Sequence, residues 1–468
     1  MVPGRKIIFF ELNEVPYRVL DRFHEQHPKG ALAKIISEGE QFETIAADSG
    51  ELYPTKTWPT VHRGVTGERH GLTNFGQDLT EVDKAFPPLW QILATHGVKV
   101  GVYGSFFSFP MPRSVDRYAF YMPDTFASTS DAHPQAWEAF QRFNLSMARA
   151  SLRNVSRGVD MTAAMGLVPN LGKLGFTAGT ALSVGNQLLL ERRDPRMTTR
   201  RRSYQTVLGF DLFYRQLRVQ QPEFCTFFTN HVAAAMHRYW AATFPQDYDR
   251  FGLEDEWVAA YRGEIDFAMM QTERMLGKLL RFVTRQPEYQ LMLVTSMGQA
   301  AVRAEPVAHF VSITNMPLFL GHIGLAPGDY EERPAMAPIF NVAVHRSEKR
   351  QLLREAIKQM SIDGRCFGKE VYEGFFEFAF GPYQNYQGPQ IVTLNGAQLS
   401  FSEMGLGNMP HEDGVYLTAD HIPQGAFIVY DPQNKPPHKQ RSQISTLDIA
   451  PTVLKNFSIR RPDYMQRA

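Results

Sequence analysis

Tyr53-Pro-Thr-Lys-Thr57-Trp-Pro-Thr60, continuing through His62-Arg-Gly-Val-Thr-Gly67-Glu-Arg-His70-Gly71 to Asn74, reads as a loop that turns into a helix. Tyr53 is extended, because the residue before a proline avoids the α region. Pro59 suits the start of a helix, where a missing N–H costs little, and Gly67 is positioned to close it. Thr57 is therefore expected at or just before the helix N-terminus, where free N–H groups and the positive end of the dipole favour anions. A hydroxyl held there can cap the helix or attack a phosphorus or sulfur centre, and the residue type alone favours the cap.

Outward from this stretch, strands and helices alternate. Phe42–Ala47, just upstream, reads as a short strand, and Ile7–Leu12 as a buried parallel one. Between them runs a helical pattern (Val15, Leu20, Phe23, Leu32, Ile35, Ile36) interrupted near Pro28-Lys-Gly30. Downstream strands are expected at Val98–Tyr103, Phe224–Phe228, Leu291–Ser296, Gly414–Leu417 and Ala426–Tyr430. Helices are expected at Pro88–Ala94, Tyr204–Leu217, Leu253–Val283 and Thr446–Asn456. This order implies an α/β fold with a doubly wound, mostly parallel central sheet that binds ligands at the carboxyl ends of its strands. The expected core is 1–104, 203–300 and 386–468. An inserted helical cap (105–202) and a smaller α+β excursion (301–385) interrupt it.

The 468 residues carry 49 Lys+Arg and 48 Asp+Glu, so no global field recruits nucleic acid or anionic membrane. Two distant cysteines, Cys225 and Cys366, argue against a disulfide scaffold. The apolar run Ile7–Phe10 is too short for a signal-peptide core, and no run of about eighteen apolar residues exists. A cytoplasmic protein without a transmembrane segment is the expectation, with a homodimer left open. Within the cap, the glycine-spaced apolar stretch Gly166–Leu190 reads as part of the lid over the sheet, with contact to a membrane surface as the alternative. The basic run that follows (Arg192-Arg193, Arg200-Arg-Arg202) reads as a solvated linker face rather than an anion site.

Pro54-Thr-Lys-Thr57-Trp-Pro, then Val65-Thr-Gly67, His70-Gly71 and Asn74, resembles the nucleophile segment of the alkaline phosphatase superfamily, on its nucleotide pyrophosphatase/phosphodiesterase branch. The resemblance implies an alkaline phosphatase-like fold, Thr57 as nucleophile and Asn74 as a holder of the transferred group. Asp448-Ile-Ala-Pro-Thr-Val-Leu454 with Arg461-Pro-Asp-Tyr-Met465 is similar to the family's closing helix and tail, and His411-Glu-Asp-Gly to its late zinc-ligand segment. The chain departs from the family at its metal carboxylates, where it has Asn13, Asn230 and Met297. An ion loses its charge compensation when carboxylates become amides, and methionine is a poor zinc ligand. No cofactor is the first expectation. One zinc held by His237 and His411, with His231 as a further imidazole, is the alternative.

Glu14 could act as a general base or cap the next helix, and Glu11 is placed to pair with Lys56 or Arg63. The catalytic candidates are thus Thr57, Asn74, His237, His411 and Glu14, and the substrate-binding candidates are Lys56, Asn13, Asn230 and His231. Two functions follow. One is a divergent phosphodiesterase-like hydrolase or group-transfer enzyme, using Thr57 without a full two-metal centre on a phosphodiester or glycan-like substrate. The other is an inactive pseudoenzyme that binds an anionic or carbohydrate ligand. An aromatic cap (Phe106, Phe107, Phe109, Tyr121, Phe126) is expected to cover the substrate.

Overall fold

The computed structural model describes residues 4–151, 166–167, 171–248, 254–303, 309–335, 339–410, 417–435 and 440–466. Its centre is the strand β1 (Lys6–Leu12), whose side chains alternate between two apolar layers. Ile7 and Phe9 pack with Trp58, Leu89, Trp90 and Val453 on one face. Ile8, Phe10 and Leu12 pack with Leu32, Phe213, Val232 and Leu276 on the other. Helices therefore cover both faces, which is why β1 reads as an unbroken apolar run.

The expected mostly parallel sheet is present. It has eight strands. Ser442–Ser445, β2 (Glu40–Ile45) and Gln424–Tyr430 lead to β6 (Tyr289–Val294), β1, β5 (Phe224–Thr229), β3 (Val100–Tyr103) and β4 (Phe120–Met122). Only Gln424–Tyr430 runs antiparallel to its neighbours. After β6 the chain forms β7 (Gly298–Ala301), which pairs with Ala419–Ile422 at the carboxyl edge of the sheet.

Several boundaries differ from the sequence reading. β4 lies within the stretch expected as cap, yet it pairs in parallel with β3 as the edge of the main sheet. The excursion reaches Pro410, because His309–Ile313 pairs with Leu406–Pro410 and encloses a separate apolar core around Val342, Phe376 and Met404. The long helix breaks into Asp255–Tyr261 and Glu264–Arg285 at Arg262-Gly263. The expected strand Gly414–Leu417 lies largely outside the described residues.

The segment around Thr57 is helical from Pro54 to Arg63, so Pro54 rather than Pro59 occupies the first helical position. Gly64, at φ 65°, ends this helix in the left-handed conformation that glycine adopts without strain. Gly67 instead opens a four-residue helix, closed by Gly71. Arg63 is buried, with Nη2 2.8 Å from Asp83 Oδ1 and Nη1 donating to the Phe86 carbonyl. It anchors the segment to the helix Thr80–Ala85 and its C-terminal neighbour Phe86. Removing it strands the Asp83 carboxylate, so Arg63→Ala should lower unfolding stability by about 3 kcal/mol in urea titrations. An unchanged midpoint would contradict this anchoring role.

Candidate active site

At the carboxyl end of β1 the chain turns through Asn13 and Glu14, and Glu14 adopts φ 60°. A non-glycine residue in this left-handed region is strained by roughly 1–2 kcal/mol and persists only where the surroundings fix it. Four contacts fix it here. Oε1 accepts from Asn13 Nδ2 at 2.7 Å, and Oε2 accepts from Gln299 Nε2. Oε2 also lies 2.9 Å from His237 Nε2 and 3.3 Å from His421 Nε2. Burial alone would push this carboxyl pKa up. The charges of His421 and His237, and the close approach of His237 Nε2, hold it well below the usual carboxylate value. Burial likewise opposes a charge on His421, but the Glu14 carboxylate raises its pKa above that of an ordinary histidine.

Each imidazole is aimed by its own element. His237 sits on the helix His231–Thr243, and its Nδ1 meets the Ala419 carbonyl at 2.8 Å, leaving Nε2 toward Glu14. His421 stands on Ala419–Ile422, directly opposite Gln299 on β7. Its ring lies perpendicular to that of His237, with centroids 5.1 Å apart, and the Tyr53 ring meets it edge-on at 6.0 Å. His421 Nε2 is buried and, despite its closeness to Glu14, lacks the alignment of a hydrogen bond. One donor atom each from Glu14, His237 and His421 lies within 4.8 Å of the other two.

The Thr57 segment adjoins this cluster through Asn13. Trp58 Nε1 donates to Asn13 Oδ1 at 2.6 Å, and Asn13 Nδ2 also donates to Asn230 Oδ1 at 2.7 Å. Asn230 is exposed and marks the open side of the site. Thr57 lies within the first turns of its helix rather than at or before the N-terminus, with its N–H bonded to the Tyr53 carbonyl. Its Oγ1 is fully buried, 2.8 Å from Ser296 Oγ and 3.3 Å from the Tyr53 carbonyl.

Other candidates are placed elsewhere. Lys56 Nζ donates to the Ser49 carbonyl. Asn74 Nδ2 donates to Glu377 Oε2 at 2.6 Å, tying the segment to the 309–410 lobe. His231 turns into the core between Thr229 Oγ1, Thr272 Oγ1 and the Ala268 carbonyl, and burial pushes its pKa down to about 4. That is the setting of a neutral structural histidine, not of a ligand contact. Glu11 pairs with His62 Nε2 at 2.6 Å, and not with Lys56 or Arg63. His411 lies outside the described residues.

His421 and Gln299 were missed. Their signal was faint, a short polar strand just before the returning strand Gln424–Tyr430, whereas His411 carried the motif-like Glu-Asp-Gly. Of the aromatic cap, Phe107, Phe109 and Phe126 line a cavity of about 410 Å³ with Phe75, Tyr372, Arg333 and Arg350. Phe106 and Tyr121 are instead packed into the core.

No protein-family model and no curated protein matches the chain. Among solved structures it is similar to murine ectonucleotide pyrophosphatase / phosphodiesterase 5, at 10% identity and a TM-score of 0.39, over 97% of this chain and 95% of that one. An inactive variant of the murine protein in complex with AMP aligns at 10% identity and a TM-score of 0.40, over 97% and 96%. The human protein gives 10%, 0.38, 97% and 96%. Likenesses this distant carry no argument about the site or the activity of this chain.

His231 and the buried His70 are both depressed to about 4, so the unfolded chain takes up protons at these rings that the folded one refuses. Stability therefore falls as pH drops from about 6.5 toward 4, by roughly 3 kcal/mol per ring across that window. His231→Gln should flatten the pH dependence of the urea midpoint, and an unchanged slope would show that His231 is not neutral in the fold.

Proposed function

We propose that the chain is a divergent phosphodiesterase-like hydrolase, or a group-transfer enzyme of the same kind, centred on Glu14, His237, His421 and Thr57. The observation that carries this reading is the convergence of one carboxylate and two imidazoles within 4.8 Å, at the strand ends beside the threonine segment. Two imidazoles and one carboxylate form a common catalytic donor set for zinc, leaving a position open. The residues fit such an ion. His421 Nε2 is buried without an aligned partner, and His237 is oriented through its far nitrogen as a ligating histidine is. Bound there, a divalent ion would neutralise charge on a phosphoryl oxygen.

The remaining work falls to the protein. Asn230 offers an exposed amide to a substrate oxygen, and Asn13 holds that amide in place. Thr57 Oγ1 loses its proton toward Ser296 Oγ and bonds to phosphorus, while the ester P–O bond breaks and the departing alkoxide takes up a proton from water. Water then adds to phosphorus of this threonine ester, which still carries the second arm, and the Thr57 O–P bond breaks to restore the hydroxyl and release a monoester. The aromatic cavity, whose Arg333 and Arg350 are each paired with a glutamate, suits an aromatic or glycan-like group rather than a compact dianion. A binding role without turnover is favoured by one observation, the complete burial of Thr57 against Ser296.

The test is hydrolysis of aryl phosphomonoesters, phosphodiesters and sulfates, with and without added zinc. Diester turnover should need zinc and fall at least ~100-fold in Glu14→Gln, His421→Ala and Thr57→Ala. Turnover that survives Thr57→Ala but not His421→Ala would remove the threonine as nucleophile. Binding of the diesters with no turnover under any condition would establish the ligand-binding reading.

A further inference from the structure

The sixteen-residue helix Ala178–Arg193 is packed with its polar side inward. Its buried residues are Thr180, Gln187 and Glu191. Gln187 Nε2 donates to Glu191 Oε1 at 3.0 Å and to the Met197 carbonyl at 2.7 Å, and Glu191 pairs with Arg201 at 2.7 Å. At about 100° per residue, Ala178, Leu182, Gly185 and Leu189 fall on the opposite side. Leu182 is 75% exposed, Leu189 58%, and Leu188 beside them 45%. A helix on a soluble protein ordinarily turns such a stripe toward the core.

The stripe ends on Arg192 and Arg193, both exposed and, among the described residues, in no ion pair. Nearby carboxylates are already committed, Asp194 to Arg196, Glu191 to Arg201 and Glu264 to Arg200. We propose that this outward face docks onto an anionic phospholipid surface. The leucines would enter the interface, with Arg192 and Arg193 on lipid phosphates. Lying flat, the helix is about 24 Å long. It rests on the membrane and does not cross it, since no helix among the described residues is long and apolar enough to do so.

A second copy of the chain fits this face less well. The exposed side of the helix carries no carboxylate, so face-to-face pairing would leave both arginines unmatched, whereas lipid phosphates match them. The inference does not depend on the proposed activity.

The test is flotation of the full chain with vesicles of phosphatidylcholine alone or doped with phosphatidylglycerol. The protein should float with the doped vesicles only, and less in high salt. Leu182→Asp with Leu189→Asp should abolish flotation, and Arg192→Glu or Arg193→Glu should each weaken it at least roughly five-fold. All should retain the wild-type melting curve, because these side chains touch little of the core. Equal flotation with both vesicle types, no flotation at all, or a wild-type dimer that Leu182→Asp splits into monomers would each overturn the proposal.

Discussion

The carboxyl edge of the sheet depends on one buried carboxylate. Glu14 lies where β1 ends, and taking an ionised carboxylate out of water costs several kcal/mol unless charge and hydrogen bonds replace the solvent. His237 and His421 supply charge, while Asn13 and Gln299 supply donors. Each partner comes from a different element: the end of β1, the helix after β5, β7, and the strand that pairs with β7. The left-handed backbone at Glu14 and the short β7 pairing are therefore consequences of the same constraint. Without β7 and its partner strand, neither Gln299 nor His421 would face the carboxylate.

The asparagines take on a different character in this setting. An aspartate at Asn13 would place a third acceptor against Glu14 and Asn230 Oδ1, and only a cation could join them. The two N–H groups of Asn13 join them instead, and Trp58 Nε1 satisfies its oxygen. The amide thus does by hydrogen bonding what a cation does between carboxylates, and it links the Thr57 helix to the β1 terminus.

Much of the fold was legible because its cause is local. The apolar runs of β1, β5 and β6 follow directly from burial on both faces, and the glycines and prolines around Thr57 announced a loop and helix there. The site was legible in part. Glu14, His237, Asn13 and Asn230 were named and are brought together. Asn74 was drawn to Glu377 by a lobe whose position no local pattern encodes, and His231 was indistinguishable in sequence from an exposed histidine. His421 was hidden because its role arises from strand pairing: only the register His421↔Gln299 brings it opposite Glu14.

We propose that Glu14, His237 and His421 form a single divalent-ion centre. Anomalous diffraction at the zinc edge, from crystals of the full chain grown with zinc, tests it most directly. One peak is expected, about 2.0–2.2 Å from a Glu14 carboxylate oxygen and from Nε2 of both histidines. No peak between these three residues, or a pair of peaks between Asn13, Asn230 and Thr57, would contradict it.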